Sequence, residues 1–100
     1  MAKLSFNRLV QQDLTNILDY YERETGARNV GERFYKEFRQ LIARIEENPA
    51  HFGLHRLGTR RAPFARFPYS VVYRVTEDSH IRVLFIRHHH RHPDFGMRRK

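Results

Sequence analysis

The residues best suited to chemistry crowd into one stretch, Ile-Arg-Val-Leu-Phe-Ile-Arg-His-His-His-Arg-His-Pro-Asp-Phe at 81–95. An apolar run ends there in His88, His89, His90 and His92, interleaved with Arg87 and Arg91. Imidazoles titrate near neutral pH and serve as general acids, general bases or metal ligands, while guanidinium forks hold phosphate or carboxylate. In an extended chain His88, His90 and His92 share a side, and His-x-His is a ligand spacing for zinc-like ions. No other histidine or acidic cluster completes a shell, and Arg87 and Arg91 repel a cation, so no bound metal and no cofactor is expected. A second basic corner, Arg60 and Arg61 followed by Arg66, suits phosphate or carboxylate recognition through paired N–H donors.

The charge distribution reinforces that reading. Residues 1–50 carry eight Lys/Arg and eight Asp/Glu, whereas residues 51–100 carry eleven Lys/Arg, three Asp/Glu and all seven histidines. The whole net charge of +8 therefore resides in the second half. Segregation of this kind costs self-repulsion and points to an anionic partner: nucleic acid, an acidic protein segment or anionic lipid. The absence of cysteine excludes disulfides and thiolate chemistry. No stretch approaches the roughly 18 apolar residues of a membrane span, and the first residues lack an apolar signal core, so a soluble cytoplasmic protein without a membrane partner is expected.

At 100 residues, 40% of them hydrophobic and 13% aromatic, the chain suffices for one domain with a small core. Leu4 and Phe6, two apart, read as a short strand, and Asn7 offers an oxygen to cap a helix. Val10, Leu14, Ile17, Leu18 and Tyr21 then recur at helical spacing until Thr25-Gly26. A second helix is expected from about Arg28 to Glu47, its stripe formed by Val30, Phe34, Phe38, Leu41, Ile42 and Ile45, and Asn48-Pro49 stops it. Beyond it the period changes to two. Residues 55–61 form a weak strand candidate, and 67–76 and 81–88 form strong ones joined by a turn at Asp78-Ser79. The order β-α-α-β-β-β predicts an α+β domain, a helical hairpin on one face of a small, mainly antiparallel sheet.

One helix pair covers one face. Alternation assigns Phe67, Tyr69, Val71, Tyr73 and Val75, with Ile81, Val83 and Phe85, to the core face. Val72, Leu84 and Ile86 are then left among Arg74, Arg82 and His88 on the other, where an acidic or nucleic-acid partner would dock. The alternative is that the C-terminal tail or a second copy of the chain covers this face.

The element order, the stretch Phe-Pro-Tyr-Ser-Val-Val-Tyr-Arg-Val at 67–75 and the segment 81–93 resemble the RelE/ParE superfamily of bacterial toxin–antitoxin toxins, over nearly the whole chain. In such families the last strand is followed by a pattern resembling His-x-Arg-Arg-x-Pro-x-Tyr-Trp. Here His88, Arg91 and Pro93 match it, while His90 replaces the first arginine, Phe95 the tyrosine and Gly96 the tryptophan. The resemblance implies a small basic toxin wrapped by a cognate acidic antitoxin. Its ParE-like branch poisons DNA gyrase, and its RelE-like branch cleaves mRNA on the ribosome. Phe95 lacks the hydroxyl that the second chemistry would use, so the ParE-like branch is expected. An endonuclease would have to work with His88, Arg61 and Arg91. Contact with antitoxin or target is expected from Arg60, Arg66, Val72, Arg74, Arg82, Leu84, Ile86 and His90. A basic nucleic-acid-binding module without toxicity is the third reading.

Overall fold

A computed structural model describes residues 3–25, 28–92 and 95–100. The expectations for Gly26 and Pro93 fall outside these residues. Strand β1 (Leu4–Phe6) leads into helix α1 (Val10–Thr25), and helix α2 (Arg28–Glu47) returns beside it. Three strands then build the sheet's other side: β2 (Gly53–Leu54), β3 (Arg60–Pro63) and β4 (Tyr69–Val75). The last strand, β5 (Ile81–His88), inserts between β4 and β1, giving the order β1-β5-β4-β3-β2. Among the described residues only the β1–β5 pair is parallel.

Local chemistry accounts for the boundaries. The Asn7 side chain accepts the Leu9 N–H at 2.9 Å at the start of α1, and Glu47 is the last residue of α2, ahead of Asn48-Pro49. Both apolar stripes face the sheet. Val10, Ile17, Phe34, Phe38, Leu41, Ile42 and Ile45 are buried against Tyr69, Val71, Tyr73, Ile81 and Val83. Phe34 stacks on Phe64 at 4.6 Å and meets Phe67 and Tyr69 edge-on, geometries that suit the ring quadrupole.

The expected strand at 55–61 is instead broken. Residues 56–58 form a tight turn with Leu57 and Gly58 both at positive φ, and β3 starts only at Arg60. Strand β4 begins at Tyr69 rather than Phe67.

Two departures remake the second face of the sheet. Val72 opposes Phe85 while Tyr73 opposes Val83, so Leu84 is an extra residue, a β-bulge in β5. A bulge exchanges the faces of all residues beyond it. Phe85, expected in the helix-side core, lies on the opposite face, and Ile86 enters the helix-side core. The opposite face is also closed. Val72, Leu84 and Phe85 form a second cluster sealed by Phe95 and Met97 of the C-terminal tail, and Val72, Leu84 and Ile86 are at most 4% exposed. The expectation of an open apolar face presenting these three residues is therefore corrected. A bulge and a tail placed by long-range contacts, neither readable from alternation, bury all three.

The tail is held by directional contacts. The Arg99 guanidinium donates to both Asp13 carboxylate oxygens, at 2.6 and 3.1 Å, and to the Leu84 carbonyl at 3.2 Å. Such bidentate ion pairs are the strong, geometrically specific ones. Arg99 also lies over the rings of Phe85 and Phe95, and Phe95 meets Phe85 edge-on at 5.7 Å. Gly96 has φ +76°, and a Cβ there would sit 2.5 Å from the Phe85 ring.

Candidate functional site

The expected site residues separate into three places. The first is a cavity of about 290 Å³ where α1 meets the end of β5 and the tail, lined by Tyr20, Tyr69, His88 and Arg91 among others. The bulge turns His88 to the helix side, where its ring meets Tyr69 edge-on at 4.9 Å. His88 Nδ1 accepts the His90 N–H at 3.0 Å, which leaves Nε2 to carry the proton of the neutral ring. Burial, and after it the neighbouring His90, His89, Arg91 and Arg87, hold the His88 imidazole below its usual range. Burial, assisted by Tyr20 and opposed by Arg91, raises the Tyr69 phenol. A neutral imidazole, a protonated phenol and a guanidinium can bind an anion and pass a proton. Arg61 does not join them. It pairs with Val72 in the sheet and so projects to the tail side, opposite His88.

The second place is a groove of about 590 Å³ between α2 and the β3–β4 loop, which Arg66 shares with Arg33, Lys36 and Arg44 above an apolar floor that includes Leu41 and Phe67. Glu37, the one carboxylate lining it among the described residues, accepts the backbone N–H of Ala65 at 2.5 Å and of Arg66 at 3.4 Å. Its charge is thereby committed to fixing the loop. Arg33, Lys36 and Arg44 were not singled out from the sequence. Their spacing of three and eight on a helix was the available signal, since it places them along one face.

The third place is the tail side of the sheet, carrying Arg61, Arg74 and Arg82. Arg74 stands directly across from Arg82. The Arg82 guanidinium donates to Ser5 Oγ at 3.0 Å and to the main-chain oxygen of the last residue, Lys100, at 3.3 Å, and Arg74 donates to the Leu57 carbonyl at 3.2 Å. Arg60, expected beside Arg61 as a contact residue, instead reaches back to the Phe52 carbonyl at 2.7 Å, bracing the α2–β2 loop. His90 is exposed near the mouth of the first cavity, 5.2 Å from the His88 ring. The basic corner read from the sequence is thus divided among a brace, the tail side and the α2 groove.

Residues 4–93 match the family described as ParE toxin of type II toxin-antitoxin system, parDE. The chain belongs to the ParE toxin family. A chain of the solved structure of the chromosomal ParDE TA system from P. aeruginosa shares this fold. It superposes with a TM-score of 0.74 at 23% identity, over 88% of this chain and 96% of that one. No curated protein matches this chain by sequence. Within the family frame, the two departures at the end of the chain have structural reasons here. Phe95 is a sealing ring packed on Phe85, and Gly96 is the residue that lets the chain cross that ring without a Cβ.

Proposed function

We propose that this ParE toxin arrests growth in the cytoplasm by poisoning DNA gyrase, binding protein and DNA without itself cutting a bond, until an acidic antitoxin neutralises it. The match to the ParE family over residues 4–93 carries the reading. The site supports it. Phe95 has no hydroxyl and serves packing, and Arg61 lies on the opposite sheet face from His88 and Arg91, so the endonuclease trio does not converge. The antitoxin's surface is the α2 groove, where Arg33, Lys36, Arg44 and Arg66 surround an apolar floor suited to an acidic amphipathic segment. In a reconstituted assay, purified gyrase should lose supercoiling activity and accumulate cleaved DNA complexes when this protein is added. Unchanged supercoiling at stoichiometric excess overturns the gyrase target.

A second reading, a ribosome-dependent mRNA endonuclease, draws on the one cavity where His88, Arg91 and Tyr69 meet. It requires cuts in the A-site codon during in vitro translation that His88→Ala abolishes, and intact mRNA disposes of it.

A further inference from the structure

Tail-side burial leaves a surface that is cationic without being greasy. One register row crosses the sheet there, from Ser5 on β1 through Arg82 on β5 to Arg74 on β4, and on to the Leu57 carbonyl of the turn before β3. At spacings near 4.8 Å between strands this row is roughly 14 Å long. Like charges directly opposite in a sheet are destabilising, yet Arg74 faces Arg82, the two being held by the Leu57 carbonyl on one side and by Ser5 Oγ and the Lys100 main-chain oxygen on the other. At the β1 end the row opens into a groove of about 500 Å³ lined by Arg8, Arg82, Arg98, Arg99 and Lys100, of which Arg99 is committed to Asp13. At the other end, residues 48–76 contain five arginines and no Asp or Glu.

The turn at that end is strained and firmly built. Leu57 has φ 54° and ψ 42°, a left-handed conformation that costs a non-glycine residue about 1–2 kcal/mol. Burial does not compensate for this, since Leu57 and Leu54 are both 74% exposed. The turn is nevertheless fixed. The His55 N–H donates to the Thr59 carbonyl at 2.7 Å, and the buried Thr59 hydroxyl donates to the Arg56 carbonyl at 2.6 Å. A rigid tip that holds a bare leucine beside arginines matches the apolar wedge with which DNA-bending proteins enter a base step.

We propose that this row, from Arg8 and Arg98 through Arg82 and Arg74 to Leu57, is a duplex-DNA site. The arginines lie along phosphates, and Leu57 enters the minor groove as a wedge. Charge complementarity selects the ligand. An acidic amphipathic peptide needs apolar pockets between its charges, but Val72, Leu84 and Phe85 beside the row are sealed by Phe95 and Met97. A phosphate backbone needs only the cations. This site deepens the gyrase reading, and its test omits gyrase so that either can fail alone.

The experiment measures binding of a 20-base-pair duplex by fluorescence anisotropy across a salt series, together with end-to-end energy transfer for bending. Arg74→Gln with Arg82→Gln should lower the magnitude of the log–log salt slope by about two and weaken binding on the order of tenfold per arginine at 0.1 M salt. Relief of the like-charge pair offsets the hydrogen bonds lost to Leu57, Ser5 and Lys100, so its thermal midpoint should stay close to the parent's, and lost binding is then not lost folding. Arg33→Gln with Lys36→Gln removes the same charge from the helix-side groove and should leave the slope unchanged. Leu57→Asn, which tolerates the left-handed turn, should retain the slope and lose the bend. The proposal is overturned if the two double variants shift the slope equally, or if poly-glutamate or a 20-nucleotide single-stranded RNA binds as tightly as the duplex. Bending unaltered in Leu57→Asn likewise overturns the wedge.

Discussion

Phe95→Ala tests whether the tail is a structural lid or an appendage. Phe95 is half-buried, packs on the fully buried Phe85 and lies beneath the guanidinium groups of Arg91, at 4.8 Å, and Arg99, at 5.6 Å. Truncating a fully buried phenylalanine costs about 3–5 kcal/mol, so a half-buried one should cost about 2 kcal/mol. For a domain of this size each kcal/mol moves the midpoint by roughly 4–8 °C, so thermal unfolding should shift down by roughly 8–16 °C. The same variant should bind the dye ANS in its native state, because Val72, Leu84 and Phe85 lose their cover. A double-mutant cycle isolates the ring pair. In a Phe85→Leu background Phe95→Ala should cost about 0.5–1.5 kcal/mol less, the worth of an edge-to-face aromatic contact. A loss below about 0.5 kcal/mol for Phe95→Ala with no ANS signal, or strict additivity with Phe85→Leu, would refute the sealed tail side. The face predicted from alternation would then be open after all.

Gly96→Ala should destabilise more than Gly58→Ala, although both sites have positive φ. The first new methyl group would meet the Phe85 ring at 2.5 Å while the second enters open space, and chemical denaturation would show roughly 1 kcal/mol for Gly58→Ala and more for Gly96→Ala. Acid should weaken the fold through His88 and His55, both held below their unfolded value of 6.5 chiefly by burial. The unfolded chain protonates first as pH falls through 6.5, so stability drops from there until the folded pKa values are passed and is constant in this respect below them. Urea midpoints from pH 7.5 to 5 should therefore decline less steeply for His88→Gln than for the parent protein, and parallel curves would exclude His88 as a contributor.

Periodicity carried much of the architecture. Stripes at spacing three and four, bounded by Asn7 and by Asn48-Pro49, encode α1 and α2 locally, and the alternating runs encode β4 and β5 as a hairpin. Composition likewise pointed to an anionic partner, because all the excess charge falls beyond residue 50. The weak strand at 55–61 misled for a local reason as well: Leu57 adopts a backbone conformation that leucine rarely takes, and the turn is maintained by hydrogen bonds from Thr59 and Arg74.

Side-chain direction was beyond the reach of alternation. One extra residue at Leu84 exchanges the faces of Phe85, Ile86 and His88, and register depends on pairing with β4, not on β5 itself. The tail's position depends on Asp13, which is 86 residues from Arg99 in the chain yet bonded to it. Adjacent arginines at 60 and 61 were bound to diverge, since neighbours in a strand point to opposite faces, and which face belongs to which partner is set by what packs behind each. Sequence alone determined that this chain forms two helices over a cationic sheet with ParE character. The tertiary contacts alone decided that the sheet's greasy second face is sealed and that Arg74 and Arg82 stand side by side next to it, because covering a face is an outcome of long-range packing that local periodicity does not encode.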